Sequence, residues 1–192
     1  RISPRSQSAL LQVMAERQIS IEGTVRALPD PYLVIATMNP SGSSGTFELA
    51  SGQLDRFDLA LSLGTVDRAT ERQLLRQESG PEMAAQLIAA LPASSWASLR
   101  RTVADVHVAD PVMDYLLDIC DDVRQAGYVS VRASRSVIRM AQGLAVLEGR
   151  NFVVPDDIKA LAPTCLAHRL LAPGVTLQSL TDRVTAASDR TA

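Results

Sequence analysis

Histidine and cysteine each occur only twice in this 192-residue chain, and their scarcity removes several kinds of chemistry at once. His107 and His168 stand far apart, with no carboxylates or cysteines clustered at ligand spacing, so no metal site is expected. So few histidines also leave no Ser-His-Asp or Cys-His arrangement for nucleophilic catalysis. Cys120 and Cys165 lie among apolar neighbours at helical spacing. They read as buried thiols in a reducing compartment, the cytoplasm by default, and not as a disulfide frame. No apolar run approaches the roughly 20 residues of a membrane span, and no signal-peptide pattern is present. A basic surplus is lacking too: 19 Lys and Arg against 21 Asp and Glu leave a net charge of -2. No overall field therefore draws the chain to nucleic acid or anionic membrane, and neither is expected as a partner. The single tryptophan, Trp96, reads as an anchor between helices and not as a ligand platform. There is no GxxxxGKS or GxxxxGKT loop and no strand ending in paired acids, so the parts that cradle ATP phosphates and hold Mg²⁺ are absent from the sequence. The first residue is Arg1 and not methionine, which leads to the expectation of a fragment or a processed chain.

What is present is enough for a real core, with 46% hydrophobic and 21% charged residues in a length that suits one or two domains. The stretch from Tyr32 to Phe57 draws attention first. Tyr32 to Thr37 is an apolar, β-rich run of a length that suits a parallel strand covered on both faces. Asn39 ends it, ahead of Pro40 and a loose SGSSG loop, where an open parallel sheet receives its ligands. Arg56 follows in LDRF, with Leu54 and Phe57 as apparent anchors for a guanidinium held at one place on the surface. Each has a plainer explanation: an Asn before Pro is ordinary turn chemistry, and an Asp-Arg pair is ordinarily a solvated surface pair.

In chain order, Ser3 and Pro4 open a helix carrying Leu10, Leu11 and Met14. Alternation across Ile19, Ile21, Val25 and Ala27 around Gly23 predicts a β-hairpin, broken off at Leu28-Pro29-Asp30-Pro31. Leu59 to Leu63 reads as a second short buried strand, and Asp67 as the cap of a helix through Gln77. Ser79-Gly80-Pro81 is the best boundary, and beyond it the periodicity becomes helical. Short pieces are expected over 83–91 and 95–103. Asp110 and Pro111 begin a helix with Val112, Leu116, Ile119, Cys120 and Val123 inward and Asp114, Asp118, Asp121 and Asp122 outward. The helix over 131–147 buries Val137, Ile138, Ala141, Leu144 and Ala145, and carries Arg132, Arg135, Arg139 and Gln142 on another face. Arg132 stands out because it follows the candidate cap Ser130, and a cation in the first turn opposes the helix dipole, by roughly 0.3–1 kcal/mol. Such a locally unfavourable choice favours a functional role, as a reader of phosphate. The last helix starts at Val154-Pro155-Asp156-Asp157, is expected to break at Pro163 and resumes from Cys165 to Leu170; from Ala172 onward a partly ordered tail is expected.

Several of these stretches together, RISPRSQSALLQVMAER, LPDPYLVIATMNP, GTFELASGQLDRF and SVRASRSVIRMAQGLAVLEGRNFVVPDDIKALAPTCLAHRLL, resemble the MoxR family of AAA+ proteins from Arg1 to about Leu171. The resemblance implies an α/β fold: the second half of an AAA+ P-loop-type core, with a β-hairpin and parallel strands, followed by an all-α helical lid. The implied divisions are 1–78 for the core half, 79–171 for the lid and 172–192 for the tail. It also implies that Asn39 is the sensor 1 residue, Arg56 the arginine finger offered to a neighbouring subunit's nucleotide, and Arg132, in SVR, the sensor 2 arginine; the competing frame, SRS at Ser134, would shift the register of the downstream LEGRNFVVPDDI. Tyr128 and Val129 depart from the family pattern, which has glycine and proline there. The intact family protein is expected to bind ATP and Mg²⁺, assemble as a hexamer and hydrolyse ATP at subunit interfaces. Its action is chaperone-like, often on partners with von Willebrand factor A domains. Without the phosphate loop this chain is expected to be inactive alone. The alternative is a non-enzymatic helical interaction module that has lost the ATP-binding half.

Overall fold

In the computed structural model the described residues are 13, 14, 16–21, 23–38, 49–76, 88–125, 127–170 and 177–191. The expected boundary at Ser79–Pro81, most of the opening helix and most of the 83–91 piece lie outside them.

The hairpin forms as the alternation predicts. Strand β1 (Gln18–Ile21) pairs antiparallel with β2 (Thr24–Ala27), in the register Gln18 to Ala27 and Ile21 to Thr24. Gly23 turns the chain at φ 78°, a conformation that costs glycine little because it has no Cβ. β2 is exposed along its whole length. Behind the hairpin, Asp30 accepts from Arg100 Nη1 at 2.8 Å, tying this loop to helix α3 (Ser95–Ala104).

The two runs read as parallel strands behave differently. Neither 32–37 nor 59–63 joins a ladder among the described residues. Leu33 is 78% exposed, Ile35 81% and Leu63 95%. An apolar, β-rich run states a demand for burial, but a parallel strand exists only where neighbouring strands supply its hydrogen bonds and helices cover its faces. Between these runs lies a single helical turn, α1 (Ser51–Leu54), closed by Gln53 Oε1 accepting from the Ala50 N–H at 2.9 Å, with Leu54 buried. Helix α2 (Arg68–Leu74) starts where Asp67 accepts from Thr70 N–H at 2.7 Å, as expected, but it buries none of its residues.

The packed core lies in the C-terminal helices. They are α4 (Asp110–Arg124), α5 (Val131–Leu147), α6 (Pro155–Leu166) continued by a 3-10 turn (Ala167–Leu170), and α7 (Leu177–Thr191). The predicted stripe of α4 is buried in full. In α5 the buried row is Ala133, Val137, Ala141 and Ala145, spaced four apart, while Ile138 and Leu144 are only half-buried. Small side chains on that row let α5 lie close against α6, where Ile158, Ala162, Cys165 and Leu166 are fully buried. Large buried residues such as Leu116, Ile119, Ile158 and Leu166 each contribute roughly 1.5–3 kcal/mol, so the stability of the described chain is concentrated here. The connector before α4 joins the one before α6 through His107, which donates its N–H to Asn151 O at 2.9 Å and accepts from Val153 N–H at 3.0 Å. Arg150 then grips the buried Asp157 with two hydrogen bonds of 2.7 and 2.8 Å, and Asp157 also accepts from Val154 N–H at 2.9 Å to start α6.

Two expectations are corrected. Pro163 does not break α6: the helix runs through it, because Ala162, Pro163 and Cys165 are all buried and packing on both sides outweighs one lost backbone bond. The tail from Ala172 is, over Leu177–Thr191, a helix whose Leu180, Val184, Ala187 and Ser188 are buried against α4 and α6. The stripe has helical spacing, but Ser, Thr, Asp and Arg between its members dilute the apolar content and hide it.

Candidate functional site

The residues singled out in the sequence are distributed unequally. Asn39 lies outside the described residues. Arg56 follows α1 in a turn continued by Arg56 N–H donating to Gln53 O at 3.2 Å and Phe57 N–H to Leu54 O at 3.1 Å. Leu54 is buried and Phe57 half-buried, and the Phe57 carbonyl accepts from two side chains. Arg132 is exposed in the first turn of α5, and Ser130 caps that helix by accepting from Ala133 N–H at 3.1 Å.

One hydrogen bond joins these two neighbourhoods. Ser130 Oγ donates to Asp55 Oδ1 at 2.7 Å, so the cap of the helix bearing Arg132 is fastened to the residue before Arg56. The same carboxylate oxygen accepts from Arg169 Nε at 3.0 Å. Phe57 O, on the other side of Arg56, accepts from Arg169 Nη2 at 2.9 Å and from His168 Nε2 at 3.0 Å. Asp58 Oδ1 accepts from Ser136 Oγ at 2.7 Å, and Ser136 Oγ in turn accepts from Arg169 Nη2 at 3.1 Å. Arg169 also donates to Cys165 O. Asp55, Phe57 and Asp58 therefore all bond to the C-terminal helical part of the chain.

Reading the sequence missed Ser136, His168 and Arg169 as members of this network. The signal was present in CLAHRLL, where a histidine and an arginine interrupt an apolar helical run; both are buried, against the usual preference of arginine. Burial holds the Arg169 guanidinium below its ordinary value, and the Asp55 carboxylate opposes that shift. Burial also pushes the Cys165 thiol up to about 11 and raises Cys120, so neither is a ready nucleophile.

Arg135 and Arg139 are exposed on α5 beside a groove of about 390 Å³ against α4, floored by Leu116 and Ile138. With Arg132 they form the predicted basic stripe. Exposed guanidiniums near a helix N-terminus suit an anion, and a nucleotide phosphate is one such ligand. Among the described residues no three carboxylate, histidine or cysteine side chains converge as metal ligands.

His168 carries a pH prediction. Burial, aided by the Arg169 charge, lowers its pKa, while the Phe57 and Thr164 carbonyls and Asp55 pull the other way without reversing the shift. A histidine kept neutral by the fold contributes its full stability above the unfolded value of about 6.5, and loses it as pH falls toward the lower folded value. The urea midpoint is expected to drop as the pH falls below about 6.5. In His168→Gln, whose amide still has a donor for Phe57 O, the drop in that window should disappear; a midpoint equally pH-dependent in both proteins discards this account.

Comparison with known proteins gives a consistent picture. Residues 1–59 match the family model for the ATPase family associated with various cellular activities (AAA), and residues 118–186 match an AAA lid domain. The chain is 35% identical over 175 residues to the uncharacterized protein YeaC of Bacillus subtilis, a match covering 89% of this chain and 55% of that protein. It is 32% identical over 198 residues to chaperone MoxR1 of Mycobacterium tuberculosis, covering 96% of this chain and 51% of that one. A protein from Cytophaga hutchinsonii, solved at 2.00 Å, superimposes with a TM-score of 0.81 at 26% identity, over 96% of this chain and 62% of that one. The chain thus spans about half the length of these curated relatives.

Proposed function

Because the chain belongs to the MoxR family of AAA+ ATPases, we propose that it is the C-terminal part of such an enzyme, supplying sensors and finger to an ATP site completed by an upstream half. In this reading Arg56 meets the nucleotide of a neighbouring subunit, Arg132 reads its phosphate from the lid, and Asn39 polls the γ-phosphate from the core. A guanidinium beside a transferring phosphoryl group stabilises the charge that spreads over its oxygens. ATP and Mg²⁺ are held mainly by the upstream half. Hydrolysis at the interfaces of a hexamer then drives chaperone-like remodelling or assembly of partner proteins, among them proteins with von Willebrand factor A domains, in the cytoplasm.

The observation that carries the reading is the Ser130–Asp55 hydrogen bond, which makes the Arg132 helix and the Arg56 turn neighbours. In the whole gene product, Arg132→Ala is expected to lower ATP turnover about tenfold, the worth of one charge-assisted hydrogen bond, while Arg139→Ala, two turns along, changes it little. Stability should move the other way. Removing a cation from the first turn leaves the urea midpoint of the 192-residue chain unchanged, or higher by the equivalent of a few tenths of a kcal/mol. If Arg132→Ala instead costs more than about 1 kcal/mol and turnover is retained, Arg132 is a structural residue and its assignment fails.

A further inference from the structure

The Arg169 side chain is 2% exposed, and a charge so placed survives only when its N–H groups find acceptors. Cys165 O, one turn back on its own element, and Ser136 Oγ of α5 satisfy part of that demand. The rest is met from far away in sequence: Asp55 Oδ1 at 3.0 Å and Phe57 O at 2.9 Å, the residues on either side of Arg56. His168, also buried, places a second donor on the same Phe57 carbonyl, and Ser136 passes the contact on to Asp58. An arginine that only filled space in the lid would have no need of both neighbours of one core residue.

We infer that Arg169 is a positioning residue for Arg56: its planar fork, with His168 and Ser136 beside it, fixes the Asp55 carboxylate and the Phe57 carbonyl, on either side of Arg56, to the lid, so that lid orientation sets where the Arg56 side chain points. The inference rests on reading Arg56 as the arginine finger, and it adds the lid as the part that aims the finger. The dependence on aim is steep, because displacing a catalytic group by about 1 Å costs on the order of 10²-fold in rate. Lysine cannot replace the fork. A single ammonium on a flexible stem does not reach four acceptors spread around a planar group.

The test compares Arg169→Lys, Ser136→Ala and Arg56→Ala with the parent in the whole gene product, by amide hydrogen exchange and by ATP turnover. In Arg169→Lys the amides of Arg56 and Phe57 are expected to exchange about tenfold faster or more, while those of α4 and α7 keep their rates. The kcat should fall about 10- to 100-fold, with KM for ATP within about twofold. Ser136→Ala, which removes one link and leaves the Arg169–Asp55 pair in place, should show the same pattern at smaller amplitude, and it carries the test if Arg169→Lys does not fold. Unchanged exchange at 56 and 57 with unchanged kcat in these variants, while Arg56→Ala collapses turnover, overturns the positioning role and leaves the finger assignment intact. Faster exchange everywhere, with kcat per folded molecule unchanged, overturns it as well, because Arg169 is then only a stabilising residue. If Arg56→Ala turns over ATP at the parent rate, the finger assignment itself falls, whatever Arg169 does.

Discussion

Arg56→Ala, made in the whole gene product, should leave ATP binding close to the parent level and lower turnover by on the order of 10³-fold. The reasoning is electrostatic. A finger contributes little to the ground state, because it faces charge that develops only as the γ-phosphoryl group transfers, so its removal raises the barrier without weakening the bound complex. Arg56 is half-buried, in a turn whose flanking residues Asp55, Phe57 and Asp58 are all bonded to the lid, so truncating it at Cβ leaves those contacts in place. A loss of turnover through unfolding is therefore separable by circular dichroism and by the urea midpoint. Mixing Arg56→Ala subunits with subunits lacking the phosphate-loop lysine should restore part of the activity, since some interfaces then pair an intact finger with an intact nucleotide cradle. Unchanged turnover in Arg56→Ala, or no recovery on mixing, removes the finger from the mechanism.

The second large effect lies in the C-terminal helix α7. Val184 belongs to a segment whose composition suggests a tail, yet its side chain is 0% exposed in the lid core. Val184→Asp tests which description governs. On a loosely ordered tail, such a substitution stays within about 0.5 kcal/mol. In the core it leaves an unpaired carboxylate among apolar side chains, which costs about 3–5 kcal/mol or drives the acid to take up a proton. The second outcome is expected, with the urea midpoint of the whole lid falling and partial recovery as the pH is lowered toward the raised carboxyl pKa. The sign of that recovery is opposite to the His168 effect, because acid neutralises the introduced aspartate and charges the histidine. A midpoint within error of the parent would show that α7 does not belong to the cooperative core.

Much of the local structure could be read from sequence because its signals are local. The apolar stripe of α4, the Ser130 cap of α5, the Asp67 cap of α2 and the Gly23 turn each follow from side chains within a few residues of the feature they specify. A 3.6-residue period needs only its own helix to be recognised, and an N-cap needs only the third amide beyond it. The motif order that placed Arg56 and Arg132 in a known family is likewise a property of the linear chain.

The tertiary structure decided everything that depends on a partner distant in sequence. Tyr32–Thr37 and Leu59–Leu63 carry the composition of strands but find no ladder among the described residues, since a sheet is a relation between segments. Pro163 stayed inside a helix and 177–191 became one because burial against other helices outweighed what proline and polar composition favour locally. The junction at Asp55, Ser130, Ser136 and Arg169 joins residues up to 114 positions apart, and no periodicity or spacing encodes it. Only the folded lid brings a buried guanidinium, which must have acceptors, to the carbonyl and carboxylate beside Arg56, which accept from it. The sequence by itself determined which side chains carry charge and, through local caps and stripes, helices such as α4 and α5; the need to satisfy every buried polar group determined which charged side chains meet.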